Sequence, residues 1–266
     1  MHPIERLRYV ARATGADQRL IVRETASALH GLGLDPAGLV TACRRIVEHN
    51  PTSGPIWWLC ARVLTAAEPL REASLAARQI DEDPTEEALI DHLPADALIC
   101  VVGWPDLVTD ALVRRGDVRV LAIDGAESDG FVRRLQRADV DVEQVAPSGL
   151  GAAAASADIV LIEAAAVGAD GIIAPAGSRA AAAVGYCSEV PVWLVAGLGR
   201  RLPMAMWTTM MERFSAADLP WELDEEIMPL ALFSHIIGPA GLLDAPGDAA
   251  DAECPVAPEL LRDSVF

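Results

Sequence analysis

Lysine is absent from this chain: all 21 basic residues are arginine. That removes Schiff-base chemistry, a lysine general base and the phosphate-binding lysine of a P-loop. Positive charge is scarce as well, because 39 acidic residues leave a formal net charge of −18. Such a balance argues against non-specific binding to nucleic acid or anionic membranes, whose affinity rests on Lys and Arg. Long apolar runs are missing, since Asp158, Glu163 and Asp170 interrupt the only candidate region for a membrane span. The opening MHPIERLRYVARATG has no apolar core of a signal peptide. A cytoplasmic chain without a membrane span is the expectation.

Metal and redox signals are equally thin. Cys43, Cys60, Cys100, Cys187 and Cys254 are widely spaced with no CxxC pair, which fits a reducing compartment and small buried hydrophobes. The five histidines are scattered away from metal-ligand spacing. No glycine-rich phosphate fingerprint follows the first expected strand, where GWPDL offers one glycine. Neither a metal nor a cofactor is expected.

What is present is a chain that is 52% apolar with 5% aromatics, the profile of a globular protein. Its first ninety residues read as helices. Ile4, Leu7, Val10 and Ala11 recur at helical spacing, and Asp17 is placed to cap a second helix. Asp35 before Pro36 pairs a cap with a proline at the first helical position. The segment carrying Ile56, Trp57, Leu59, Cys60, Val63 and Leu64 is apolar nearly all round and marks the centre of a helical core. Leu70 to Ile80 gives a further helix, and the acidic DEDPTEEALIDHLP reads as a solvated connection.

Beyond Pro94 the rhythm changes. Ala97 to Val102, Val118 to Ile123, Val140 to Val145 and Asp158 to Glu163 are short runs, mostly β-branched or apolar. Amphipathic stretches lie between them, with Asp106 and Ser128 as plausible caps. From Asp158 to Gly197 the chain reads as strand, glycine-broken turn, alanine-rich helix and a second strand over Pro191 to Ala196. Alternation of this kind predicts an α/β fold: an all-helical domain over residues 1–93, a Rossmann-like parallel-sheet domain over 94–240, and an irregular arm over 241–266.

Ligands of open α/β sheets collect beyond the carboxyl ends of the strands. Those ends supply Gly103, Trp104 and Asp106, then Asp124 and Gly125, Pro147 and Ser148, Glu163, and Gly197. The carboxylates Asp106, Asp124 and Glu163 are either acid–base or hydroxyl-binding groups, or helix caps and solvent-facing acids. Cys100 falls inside a buried strand and reads as packing. Arg200 and Arg201 either meet an anion at the crevice mouth or stand exposed in a loop. Trp193 and Trp207 read as core or interface residues.

Six stretches carry a resemblance in order along the chain: NPTSGPIWWL, ALICVVGWPDLV, VRVLAIDGAESDGFVRRL, DIVLIEAAAVGADG, VPVWLVAG and EEIMPLALFSHIIGPAGLL. Together they resemble the family containing the α, β and δ subunits of translation initiation factor 2B, methylthioribose-1-phosphate isomerase and ribose-1,5-bisphosphate isomerase. The resemblance implies a helical domain against a Rossmann-like domain, with homodimerisation through the latter. It also marks departures. The acid–base aspartate of the isomerases falls on Ala165, unless the literal VGAD of Val167 to Asp170 is aligned there with inserted residues. Their cysteine falls near Gly103, their Asn-Lys pair around Pro175 and Ala176, and two of their arginines on Ala126 and Thr14.

Two functional classes follow from this pattern. One is a non-catalytic regulatory or scaffolding protein with a protein partner and a residual crevice for a small polar or phosphorylated ligand. The other is an aldose–ketose isomerase for a phosphorylated sugar. Glu163, Asp170 and Asp124 are the candidate catalytic residues, and Gly103, Asp106, Ser148, Arg179 and Arg200 the candidate ligand-binding ones.

Overall fold

The computed structural model describes residues 17–31, 35–103, 105–125, 128–215, 219–244 and 254–262. The helix expected over residues 3–14 lies outside them, as do Thr14, Trp104 and Ala126. Five helices open the described chain: α1 (Gln18–Gly31), α2 (Pro36–His49), α3 (Gly54–Thr65), α4 (Pro69–Asp81) and α5 (Thr85–His92). The Asp17 carboxylate accepts from Arg19 N at 2.8 Å, and Asp35 accepts from Gly38 N at 2.7 Å, so both sequence-predicted caps satisfy otherwise orphaned amides. Helix α3 is the centre of the helical core, with Ile56, Trp57, Leu59, Cys60 and Val63 fully buried and Trp58 nearly so. Truncating either Trp57 or Trp58 to alanine costs about 3–5 kcal/mol at such a site.

The acidic stretch before Pro94 is not a solvated connection. It folds into α5 because Asp83 caps it, accepting from Thr85 N at 3.0 Å and from Thr85 Oγ1 at 2.6 Å. Leu89 and Leu93 are then buried against the sheet core while Glu87 and Asp91 face outward.

The sheet elements alternate with helices: β1 (Leu98–Val102), α6 (Asp106–Arg115), β2 (Arg119–Ile123), α7 (Ser128–Arg137), β3 (Asp141–Val145), α8 (Leu150–Ser156) and β4 (Ile159–Glu163). Next come β5 (Ala166–Val167), β6 (Gly171–Pro175), α9 (Ser178–Cys187), β7 (Val192–Val195), α10 (Met204–Phe214), β8 (Glu225–Pro229), β9 (His235–Gly238) and β10 (Gly241–Asp244). The main sheet has seven strands in the order β10-β9-β7-β4-β1-β2-β3, parallel except for β10. Alternate residues feed opposite cores: Ile99 and Val101 pack on one face, Cys100 and Val102 on the other.

Two expectations need correction here. The segment from Asp158 to Gly197 is not a plain strand–turn–helix–strand unit, because β5 and β6 form a hairpin that joins β8 in a second, three-stranded sheet. Its two faces serve different cores: Ala166 and Ile173 pack with the helices, Val167 and Ile172 with the main sheet. The expected irregular arm begins as strand β10, hydrogen-bonded along β9. Residues 254–262 then cover the helical core, burying Cys254, Ala257 and Leu260. Arg44 Nε donates to Glu259 O at 2.7 Å and Arg213 Nη2 to Leu260 O at 3.1 Å, which ties down a backbone with little regular structure. Among the described residues, no helix is long and apolar enough to cross a membrane.

Candidate functional site

Glu163 ends β4 at the point where the sheet's connections diverge, and it is buried. Its Oε1 accepts from Arg200 Nη2 at 2.5 Å and from Asp106 N at 3.2 Å, and its Oε2 from Val108 N at 3.0 Å. Helix α6 opens at Asp106, so Glu163 is a long-range cap on that helix and lies at the positive end of its dipole. Arg200 Nη1 donates in turn to Ala164 O. A guanidinium and two amides take three of the roughly four lone-pair sites of this carboxylate, which commits Glu163 to holding β4, the loop after β7 and α6 together. The sequence left Arg200 either anion-binding or exposed in its loop; the structure buries it and pairs it internally.

Asp106 is the first residue of its helix and does not cap it. Its carboxylate instead accepts from Gln18 N at 2.7 Å, so it caps α1 across the boundary between helical and sheet elements. Burial raises its pKa to about 7, with further upward pushes from Glu163 and Asp17, against the opposing effects of the Gln18 N–H and Arg200.

The ground between these groups is filled by protein. Gly54 N donates to Ala165 O at 3.0 Å, and a Cβ on Gly54 would stand 2.9 Å from Arg200 Cα. The N-terminus of α3 thus rests on Ala165 and Arg200, where the resemblance places an acid–base aspartate. Gly103 has φ +79°, and a Cβ there would meet Pro175 Cγ at 2.7 Å. A cysteine at 103, besides being absent, would force Pro175 or the loop to shift. Cys100 is turned into the core, and burial pushes its thiol up to about 12.

The remaining expected site residues are dispersed. Asp124 is exposed after β2 and accepts from Gln144 Nε2 at 3.1 Å. Ser148 is exposed in a 3-10 turn. Arg179 is exposed at the start of α9, where its backbone N donates to Glu226 Oε1 at 2.9 Å. Asp170 lies in the β5–β6 hairpin turn and accepts from Trp207 Nε1 at 2.8 Å. The literal VGAD therefore runs from the end of β5 into the hairpin turn of the small sheet. Trp193 and Trp207 are buried, as their apolar setting implied.

Sequence reading passed over three groups. Asp83 Oδ2 accepts from Leu198 N at 2.7 Å and holds the loop after β7; its acidic surroundings hid it. Glu225 has its pKa raised by burial and by Asp224, with a hydrogen bond from Thr52 acting the other way. Ser178 Oγ, at the start of α9, is buried without a partner. Among the described residues, no three or more His, Cys, Asp or Glu are grouped to hold a metal ion.

No family model matches the chain. No curated protein matches it. Solved structures do. The Pyrococcus horikoshii OT3 translation initiation factor eIF-2B superposes with TM-score 0.77 at 16% identity, covering 92% of this chain and 97% of that one. The tetrameric eIF2B β2δ2 complex from C. thermophilum gives TM-score 0.70 at 17% identity, with 90% of each chain covered. The eIF-2B subunit delta from A. fulgidus gives 0.59 at 15% identity, covering 90% of this chain and 88% of that one. With helices α1–α5 ahead of a mostly parallel seven-stranded sheet, this chain has the fold of the translation initiation factor 2B subunits.

Proposed function

We propose that this chain is a non-catalytic, translation initiation factor 2B-like regulatory or scaffolding protein, cytoplasmic and homodimeric through its α/β domain. The observation that carries the reading is the occupation of Glu163 by Arg200, Asp106 N and Val108 N. Isomerisation needs a positioned proton carrier and an electrophilic or charged partner for the substrate oxygen. Here the acid nearest the expected position is committed to holding the fold, Ala165 offers no proton, and Pro175 occupies the space a side chain at 103 would need. The assembly of a solved relative as a β2δ2 tetramer lends weight to a role in association. Exposed apolar surface around Trp193 to Met211 does not supply that support, since Trp193, Met206, Trp207 and Met210 are buried and Met204 stands exposed.

The competing reading, an aldose–ketose isomerase for a phosphorylated sugar, draws on Glu225. Burial holds this carboxyl above the usual carboxylate range, it is hydrogen-bonded with Thr52, and its strand pairs it with Pro175. Incubating the purified chain with ribose-1,5-bisphosphate and methylthioribose-1-phosphate separates the two. No turnover is expected; turnover that disappears in Glu225→Gln establishes the isomerase. Sedimentation of the same sample gives the oligomeric state, with a dimer expected.

A further inference from the structure

Arg200 is paired with Glu163, and its neighbour Arg201 differs from it. Among the described residues its guanidinium makes no hydrogen bond and no ion pair, and Nη1 is buried without a partner. Burial lowers its pKa. By contrast Arg19, Arg62, Arg114, Arg134 and Arg200 each reach an acid. A partly buried guanidinium with a buried, unsatisfied Nη1 is costly to the fold, and its planar fork matches a carboxylate or phosphate.

The position of the group is the second observation. Arg201 lines a cleft of about 80 Å³ with Trp58, Leu198, Gly238, Pro239 and Leu243. The cleft lies beyond the carboxyl ends of β7 and β9, the edge of an α/β sheet where ligands collect. The space is sufficient for a phosphate or carboxylate group. None of Glu163, Asp106 and Glu225 lines it.

We propose that this cleft binds a small oxyanion, a phosphate or carboxylate group, through Arg201. The assignment does not depend on whether the chain catalyses any reaction. It is tested on the full chain by thermal unfolding in inorganic phosphate, malonate and chloride at matched ionic strength. A saturable rise in Tm with phosphate or malonate, and not with chloride, is expected, and the anion that produces it identifies the group. Arg201→Met is expected to lose that response while keeping a ligand-free Tm at or above that of the parent. Leu243→Trp, which fills the cleft and keeps the guanidinium, is expected to lose it too, and decides the matter should Arg201→Met fail to fold. A rise that never saturates, or that survives in either variant, is the general effect of excluded salts and overturns the proposal. So does the absence of any anion-specific response in the parent chain.

Discussion

Arg200 Nη2 meets Glu163 Oε1 at 2.5 Å inside the protein, with 5% of the arginine side chain and 4% of the glutamate side chain exposed. The pair joins the loop after β7 to the end of β4, and Glu163 passes the restraint on to the first turn of α6. A buried pair of this kind is a weak source of stability as a unit, but removing one partner leaves the other charged and desolvated.

Glu163→Ala is therefore expected to destabilise the fold by about 3–5 kcal/mol, read as a fall in the urea midpoint. The double variant Glu163→Leu with Arg200→Met removes both charges and is expected to recover much of that loss. Equal destabilisation of the single and double variants contradicts the pairing account.

Asp106 supplies a pH dependence of defined sign. Its folded pKa is raised from 3.8 to about 7, so the folded chain binds this proton more tightly than the unfolded chain. The stabilisation it confers is complete below about pH 4 and is lost as pH rises towards about 7. Asp106→Asn retains an acceptor for Gln18 N and has no proton to lose. The variant is expected to match the parent near pH 4 and exceed it in Tm at pH 8; a constant difference across that range refutes the assignment.

Gly103→Cys tests the steric crowding directly. An added Cβ would stand 2.7–2.8 Å from Pro175 Cγ and Cβ, at a backbone φ of +79°. The expected loss is about 1–3 kcal/mol from crowding and strain combined, with partial recovery when Pro175→Ala is added. A neutral effect of Gly103→Cys shows instead that the loop yields.

Native alkylation separates the cysteines. Cys187 is exposed, whereas Cys43, Cys60, Cys100 and Cys254 are buried, and burial pushes the thiols of Cys100 and Cys254 up to about 12. Iodoacetamide at pH 8 is expected to label Cys187 in the folded chain and all five cysteines after denaturation, as read by mass spectrometry of the digest. Rapid native labelling of Cys100 reopens a nucleophilic role for it.

Strands β1, β4 and β7 were legible because each is a short apolar run, and burial on both faces removes the polar alternation that blurs such a signal. Asp17 and Asp35 were legible as caps because a cap acts within three residues. Longer reach is what failed. Asp106 sits where a cap belongs, yet its partner is Gln18, 88 residues away. Helix α5 was masked by the acids that solvate its outer face, while Leu89 alone among its apolar residues is fully buried. The pairing of Glu163 with Arg200 and the isolation of Arg201 are both set by the loop after β7, which Asp83 anchors through Leu198 N. Two adjacent arginines with opposite circumstances cannot be told apart by spacing, because only the packed chain decides which one finds an acid.

The central claim is that this fold is kept without isomerase chemistry. The most direct measurement is turnover of ribose-1,5-bisphosphate and methylthioribose-1-phosphate by the purified parent chain, followed by ³¹P NMR over hours at high protein concentration. The account predicts unchanged substrate resonances; appearance of the ketose phosphate, abolished in Glu163→Ala or Glu225→Gln variants confirmed to be folded, contradicts it.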